Sequence, residues 1–436
     1  MSSLMMGALG LLWLAILILA GLHIGLAMSV VGLLGIFILS GLDVTVQLLG
    51  WQPYHSLALF PFLTLPLFMM MGEFAHYTGA ASSAFSASYK WLGNLRGGLA
   101  MAVVAASALF AACSGSSIAG AATMSRVCYP ELKRYGYDKG FSAGLVASSG
   151  SLAALIPPSV IMVLYAMFTN VSLARLLIAG FIPGIISAIV WMTMIHIRIR
   201  VNPAIGPGRE AFPWKERFRS LGGLGGIFII VLFVIGGMYI GIFTASEAAA
   251  GGAILTLVLA LFKRTLTFRI ARTSINMTCV TTCSLFFIVF GALLFSKFLS
   301  LSGVPRWVVD LISSLSVPPI IILVAIMVMY VFLGCLLEAA AMLAVTLPVV
   351  FPLIVSIGYD PIWFGVICVK LVEMAVITPP VGLNVYAAKS VLGEEVPIES
   401  IFKNIFFFLW GDVIIIVLLI VFPQIALFLP SQVIGK

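Results

Sequence analysis

Apolar segments long enough to cross a lipid bilayer recur along the whole chain and are separated only by short loops. A helix needs about 20 apolar residues to span the hydrocarbon core of a membrane. Hydrophobic residues make up 62% of the 436 positions and charged residues only 9%. A chain of this composition cannot cover a water-facing surface, and no polar stretch is long enough for a soluble domain. The sequence therefore predicts an all-α polytopic membrane protein.

The net charge of +8 would suggest a nucleic-acid partner in a soluble protein. In this chain the basic residues lie in short loops between apolar segments, where they determine membrane topology. We therefore expect no nucleic-acid partner. The four histidines do not cluster along the sequence, so the pattern predicts no transition-metal site.

An internal repeat with an offset of 222 residues divides the chain into two homologous halves. A proline, a Gly-Tyr-Asp triplet and a proline pair recur in this register without gaps: Pro130 and Pro352, Tyr137 and Tyr359, Pro157-Pro158 and Pro379-Pro380. Such self-similarity determines the architecture. We predict a first repeat over residues 1–200, a cytoplasmic linker over 201–220 and a second repeat over 221–436.

Each half is predicted to begin with three helices (4–22, 24–41 and 57–78; 226–244, 246–262 and 273–300) and to end with a closing helix (173–199; 404–429). Between them, each half contains two unusual units. One is a long apolar stretch interrupted near its centre (97–130 and 319–352), which we interpret as a re-entrant helical hairpin. The other is a helix broken by the proline pair (140–168 and 361–390). Each half then crosses the membrane five times, and because five is odd the two repeats have inverted topology.

The distribution of basic residues supports this topology. If the N-terminus lies on the extracytoplasmic side, eighteen of the 23 lysine and arginine residues fall on the inner side. The outer side keeps Arg175, Lys297, Arg306 and Lys436, and Lys370 is left inside the membrane. This bias is the one that orients membrane proteins.

Inverted repeats with discontinuous helices are typical of secondary transporters, whose substrate and ion sites lie near the middle of the membrane. A single proline in a membrane helix is commonly a simple kink. Two proline pairs at equivalent positions are poorly explained in that way. The pattern therefore favours a transporter.

The proline pairs also indicate where a cation could bind. Proline has no backbone N–H and leaves the carbonyl four residues earlier without its helical partner. Pro157 and Pro158 are expected to release the carbonyls of Ala153 and Ala154. Their counterparts in the second half are expected to release those of Ala375 and Val376. Hard cations such as sodium prefer oxygen ligands of this kind.

Several motifs resemble those of one known family. The segments "ALFAACSGSSIAGAATM" (108–124), "SLAALIPPSVIMVLYA" (151–166) and "ITPPVGLNVYAAKSV" (377–391) are similar to the large membrane subunit of TRAP transporters, the tripartite ATP-independent periplasmic systems. The resemblance covers nearly the whole chain.

This resemblance implies an importer of organic acids such as a C4-dicarboxylate or sialic acid, driven by two sodium ions and without an organic cofactor. It implies an elevator mechanism, in which a transport domain slides against a fixed scaffold in the bacterial inner membrane. It also implies two partners, a small four-helix membrane subunit and an extracytoplasmic substrate-binding protein.

The resemblance also suggests site residues. The first sodium site would use Ser114, Ala153, Ile156 and Pro158, and the second would use Gly334, Ala375, Thr378 and Val381. Candidate substrate contacts are Ser116, Ser117, Lys370 and Asn384. The chain has alanine at 153 and 375, where the family often has glycine, but a carbonyl ligand survives that change.

Lys370 has two interpretations. Lys370 and Glu373 lie three residues apart and share a helix face, and an unpaired charge inside the membrane is costly. Lys370 could bind the substrate carboxylate, or it could form an ion pair with Glu373 inside the transport domain.

Three other functions remain as alternatives. A self-sufficient sodium/divalent-anion symporter of related architecture would work without a binding protein. An intramembrane enzyme is disfavoured because no histidine or aspartate accompanies Ser114 to Ser117 as a partner. A channel is disfavoured by buried breaks in inverted repeats.

Overall fold

The computed structural model describes residues 2–58, 60–206, 210–315 and 317–432. Lys436, which the sequence places on the outer side, lies outside these residues. Within them the regular secondary structure is helical. The helices are α1 Ser3–Leu19, α2 Ile24–Ser40, α3 Leu42–Leu57, α4 Thr64–Tyr77, α5 Ala80–Leu92, α6 Gly98–Ser114, α7 Ser117–Arg134, α8 Lys139–Ser149, α9 Val160–Thr169, α10 Leu173–Val201, α11 Trp214–Ile240, α12 Ala245–Phe262, α13 Phe268–Ser302, α14 Val304–Ser314, α15 Pro319–Gly334, α16 Ala339–Ser356, α17 Pro361–Ala375, α18 Leu383–Leu392, α19 Ile398–Val421 and α20 Gln424–Ser431.

Six helices in the described part of the chain are long and apolar enough to cross a membrane. They are α10, α11, α12, α13, α16 and α19. Shorter apolar helices, including α1, α2, α6 and α15, accompany them. The prediction of an all-α polytopic membrane protein is therefore confirmed.

Both interrupted stretches form pairs of helices packed against each other. α6 ends at Ser114 and α7 begins at Ser117, after Gly115 turns the chain with φ 63°. The Ser116 hydroxyl caps α7 by accepting the Ala119 N–H at 3.4 Å. In the second half, α15 ends at Gly334 and packs against α16. Helical hairpins thus occupy the predicted positions, and both extend four residues past the predicted ends at 130 and 352.

Three elements differ from the predicted ones. The helix expected over 57–78 begins only at Thr64, after a 3-10 turn that contains Pro61, and α3 precedes it. α11 begins at Trp214, inside the segment expected to be a linker. The closing helix expected over 404–429 is split into α19 and α20 at Pro423, because proline cannot donate the backbone hydrogen bond that would continue the helix.

Small residues let some helices approach closely. A Cβ atom added to Gly32 of α2 would lie 2.8 Å from the backbone of Leu294 in α13. A Cβ atom added to Gly252 of α12 would lie 2.6 Å from the Met71 sulfur of α4. Glycine at such positions permits the backbone contact by which membrane helices associate. These pairs form one packed group beside the hairpins and broken helices.

A second packed group forms around the closing helices α10 and α19. Trp191 of α10 packs against Phe408 of α19 with ring centroids 5.3 Å apart, and Phe408 packs against Phe141 of α8 at 6.2 Å. Gly144 of α8 would meet the Asn404 side chain at 2.7 Å if it carried a Cβ atom. The first broken helix is therefore tightly packed against the last long helix.

Candidate ion and substrate site

The first break is a buried segment of ten residues between α8 and α9. α8 ends at Ser149, a 3-10 turn follows over Gly150–Ala154, and α9 begins only at Val160. Residues 151–159 are all buried. Ser159 closes the loop because its hydroxyl accepts the Met162 N–H at 3.2 Å and so caps α9.

One of the two carbonyls expected to be free in this break is occupied. The Ser159 hydroxyl donates to the Ala154 carbonyl at 2.5 Å, so the expectation for Ala154 is wrong. The reason is local, because the serine hydroxyl that caps α9 also donates a hydrogen bond back to this carbonyl of the loop. The Ala153 carbonyl receives no hydrogen bond from the described residues.

The first hairpin tip lies against this break. The Gly115 carbonyl accepts the Val160 N–H at 3.4 Å, and a Cβ atom at Gly115 would lie 3.0 Å from the Pro158 carbonyl oxygen. The positive φ of Gly115 is a conformation that glycine adopts without strain. Tip and loop are thus held in direct backbone contact.

A narrow crevice runs between the hairpin and the break. Ser114, Ala153, Ser149 and Gly150 line it together with Ser107. Ser107 and Ser114 are each 3% exposed, and their hydroxyls have no hydrogen-bond partner in the part of the chain that the structure describes. Buried hydroxyls without partners are uncommon and need an explanation. Sequence reasoning missed Ser107, although it lies seven residues before Ser114 and therefore on the same helix face.

The second break has a different hydrogen-bond pattern. The Thr378 N–H donates to the Ala375 carbonyl at 3.2 Å and the Asn384 N–H donates to the Val376 carbonyl at 3.0 Å. Both carbonyls expected to be free are therefore bonded, which corrects that expectation. Thr378, directly before the proline pair, supplies the first donor, and the loop after the pair folds back over the end of α17 to supply the second donor from Asn384. A carbonyl oxygen has two lone pairs, so each can still accept one further contact.

The second hairpin tip touches the second break. A Cβ atom at Gly334 would lie only 2.3 Å from the Ala375 Cβ. Thr378 and Val381 are half-buried and Pro380 is exposed, in contrast to the fully buried first break. The structure thus brings each hairpin tip to the break in its own half, but leaves only the second break accessible.

The four candidate substrate contacts lie in different elements. Ser116 and Ser117 lie half-buried at the first hairpin tip. Asn384 is fully buried in the first turn of α18, and neither its amide nitrogen nor its amide oxygen has a partner among the described residues. Lys370 lies elsewhere, within α17.

Lys370 forms a buried ion cluster. Its ammonium donates to Glu373 Oε2 at 3.0 Å, lies 2.7 Å from Asp412 Oδ1 and is 5.7 Å from the Trp191 ring centroid. All three charged side chains are 0% exposed. This geometry matches the ion-pair interpretation and gives no support to substrate contact by Lys370. Asp412 was missed as a member, although it is the only acid in the apolar stretch 400–421.

The fold is shared with two solved transporters. The Alcanivorax borkumensis YdaH transporter matches with a TM-score of 0.62 at 15% identity, covering 87% of this chain and 90% of that one. Neisseria gonorrhoeae MtrF, one of a class of antimetabolite efflux pumps, matches with a TM-score of 0.57 at 14% identity, covering 87% of this chain and 85% of that one. At such identities these matches show a common fold alone.

Sequence relatives are more informative. The chain is 32% identical over 394 residues to the C4-dicarboxylate TRAP transporter large permease protein DctM of Pseudomonas aeruginosa, covering 89% of this chain and 90% of that protein. It is 28% identical over 429 residues to the sialic acid TRAP transporter large permease protein SiaM of Vibrio cholerae, covering 97% and 98%. The family model for the DctM component of tripartite ATP-independent periplasmic transporters matches residues 11–425. The chain therefore belongs to the DctM component family of these transporters, whose members are membrane permeases and not enzymes.

Proposed function

We propose that this permease couples the import of an organic acid to sodium entry. The observation that carries the proposal is the contact between each hairpin tip and the proline-pair break of its own half, at Gly115 with Pro158 and at Gly334 with Ala375. Backbone carbonyls and side-chain hydroxyls lie close together at these contacts. Oxygen atoms without full hydrogen bonding suit a hard monovalent cation.

The first proposed sodium site consists of Ser114, Ala153, Ile156 and Pro158. Its support is the unpartnered Ser114 hydroxyl and the unbonded Ala153 carbonyl in one crevice. The second proposed site consists of Gly334, Ala375, Thr378 and Val381. There Thr378 has the only side-chain oxygen, and the Ala375 carbonyl retains a lone pair beside its hydrogen bond.

The proposed cargo is a small carboxylate. The relatives named above are named for C4-dicarboxylate and for sialic acid, both organic acids. We place the substrate between the first hairpin tip and α18, where Ser116, Ser117 and Asn384 can donate hydrogen bonds to carboxylate or hydroxyl oxygens. The buried and unpartnered Asn384 amide supports this placement. Sodium ions beside it would offset the charge of the acid.

We propose an elevator mechanism for the movement. The hairpins, broken helices and closing helices α10 and α19 would form the moving body. The groups around α2 with α13 and α4 with α12 would form the scaffold, supported by their close glycine-mediated packing. The half-buried second break and the fully buried first break fit a body that exposes one side of its site at a time.

Two partners complete the proposal. A small four-helix membrane subunit would cover part of the exposed apolar surface of the scaffold, and an extracytoplasmic binding protein would deliver the acid. The protein would lie in the bacterial inner membrane with its N-terminus on the extracytoplasmic side. The distribution of lysine and arginine supports that orientation.

Uptake in proteoliposomes tests the function. The permease is reconstituted with and without the small subunit and a cognate binding protein, with sodium or potassium outside. We expect uptake of radiolabelled acid only when both partners and inward-directed sodium are present. Full activity from this chain alone would favour the self-sufficient symporter, and uptake independent of sodium would contradict the proposal.

A further inference from the structure

Helix α11 is longer than a membrane crossing requires. It contains 27 residues over Trp214–Ile240, whereas the hydrocarbon core needs about 20. Residues 221–240 carry no charged side chain, while 214–220 read "WKERFRS". The first two turns of α11 therefore extend beyond the hydrocarbon and lie at the level of the lipid headgroups.

Aromatic rings cluster at this end of the helix. Trp214 and Phe218 lie four residues apart on one face of α11 and are 64% and 61% exposed. Trp91 of α5 packs edge-on against both rings, with centroids 6.2 and 5.7 Å apart. Its indole N–H donates to the Arg217 carbonyl at 3.2 Å. The cluster thus joins α5 to α11 and still presents two large apolar faces outward.

The surface beside these rings is positively charged. Lys215 and Arg219 are exposed, are spaced four residues apart, and form no ion pair with the described residues. The Arg217 guanidinium lies 4.9 Å from the Trp214 ring centroid. The nearby acid Glu216 is already paired, since its carboxylate lies 3.7 Å from the Lys90 ammonium. An excess of positive charge therefore remains next to the exposed rings.

We propose that this surface binds anionic phospholipids. It is formed by Trp91, Trp214, Lys215, Phe218 and Arg219. The rings would enter the region between headgroups and acyl chains, which tryptophan favours. Lys215 and Arg219 would meet the headgroup phosphates, and one cation near an anionic membrane surface contributes about fivefold in affinity. Because the surface spans α5 and α11, a bound lipid would also hold these two helices together.

Lipid retention in native mass spectrometry tests the proposal. The full chain is titrated with phosphatidylglycerol or phosphatidylcholine in detergent, and bound lipids are counted. We expect preferential retention of phosphatidylglycerol. Lys215→Gln with Arg219→Gln is expected to weaken it about 30-fold. Trp214→Ser with Phe218→Ser, which keeps both cations, is expected to weaken retention of both lipids.

The matched control is Arg269→Gln with Arg272→Gln, which removes the same charge from the exposed start of α13. It is expected to retain phosphatidylglycerol like the unaltered protein. Equal loss in the control and the Lys215/Arg219 variant would overturn the proposal. So would displacement of the lipid by soluble glycerol phosphate, since the site would then bind the anion and not the lipid. Size-exclusion profiles and melting temperatures establish that each variant is folded.

Discussion

Thr378 contributes the only side-chain oxygen among the four residues proposed for the second sodium site. Its hydroxyl donates to the Met374 carbonyl at 2.6 Å, which leaves the lone pairs of the oxygen free for a cation. Thr378→Val removes that oxygen and keeps a β-branched shape. Losing one contact to a charged group costs about 1.5–3 kcal/mol. The sodium concentration for half-maximal uptake is therefore expected to rise roughly ten- to hundredfold.

Thr169→Val is the matched control for this change. The Thr169 hydroxyl donates to the Tyr165 carbonyl at 2.7 Å, with the same four-residue spacing, but Thr169 lies at the end of α9 and outside both proposed sites. Its sodium dependence is expected to be unchanged. An unaltered sodium response in Thr378→Val would remove Thr378 from the site.

The buried ion cluster predicts an asymmetry between its members. Lys370 is the single cation opposite two carboxylates, Glu373 and Asp412, and all three are fully buried. Glu373→Gln leaves one cation paired with one anion. Lys370→Met leaves two buried carboxylates without a counter-ion, and removing one partner of a buried pair costs about 3–5 kcal/mol. We expect Lys370→Met to be much less stable than Glu373→Gln.

Melting temperatures of the purified variants in detergent measure this difference. Adding Glu373→Gln to Lys370→Met is expected to recover part of the loss, because one of the two uncompensated carboxylates is then removed. If Lys370→Met and Glu373→Gln melt at the same temperature, Lys370 is not the stabilising counter-ion of the two carboxylates. Substrate affinity in Glu373→Gln, measured separately, distinguishes the cluster from a substrate site.

At the scale of the elements, the contacts between each hairpin and its break leave no room for a larger side chain. A Cβ atom at Gly150 would lie 2.4 Å from the Ala121 backbone nitrogen, and one at Gly334 would lie 2.3 Å from the Ala375 Cβ. Gly150→Ala and Gly334→Ala must therefore push a hairpin away from its break. We expect each variant to lose sodium-dependent uptake and to melt at a lower temperature, since overpacking typically costs about 1–3 kcal/mol.

Gly50→Ala provides the control for the glycine series. Gly50 lies within α3, and a Cβ atom there would meet nothing within 4 Å. Alanine is also the better helix former, so stability and uptake are expected to be kept or slightly improved. Wild-type sodium dependence in Gly150→Ala and Gly334→Ala would show that these contacts do not form the ion sites.

The sequence predicts these elements because strong local signals define them. The proline pairs determine where α8 and α17 end, and the Ser-Gly-Ser-Ser segment determines the first hairpin tip. The hydrogen bonds inside the breaks depend on how the chain folds back after the prolines. For that reason the occupied carbonyls of Ala154 and Val376 were not predictable from proline chemistry alone.

Contacts between distant elements were the least accessible to sequence reasoning. Glu373 was expected beside Lys370 because three residues along a helix bring side chains to one face. Asp412 lies 42 residues after Lys370 in the sequence, and only the packing of α17 against α19 and α10 brings the two side chains together. The start of α11 was also missed, because the charges of 214–220 resemble a linker until their helical spacing is considered.

At the scale of the whole molecule, two proposed ion sites set an upper limit on accumulation. A tenfold sodium gradient provides about 1.4 kcal/mol per ion, so two coupled ions provide about 2.8 kcal/mol. With the membrane potential clamped to zero, the charge of the acid adds no electrical energy. The ratio of internal to external acid can then reach about 100-fold with two ions, and about tenfold with one.

Proteoliposomes with the complete transporter and a clamped potential measure this limit directly. The sodium ratio is varied in steps up to tenfold, and the final ratio of labelled acid is recorded at each step. We expect the acid ratio to follow the square of the sodium ratio, because both ions must cross with each acid molecule. If the acid ratio instead follows the first power of the sodium ratio, only one ion is coupled to transport. Comparing Thr378→Val with Ser114→Ala would then identify which of the two sites binds the coupled ion. An acid ratio that does not change with the sodium ratio would contradict sodium coupling.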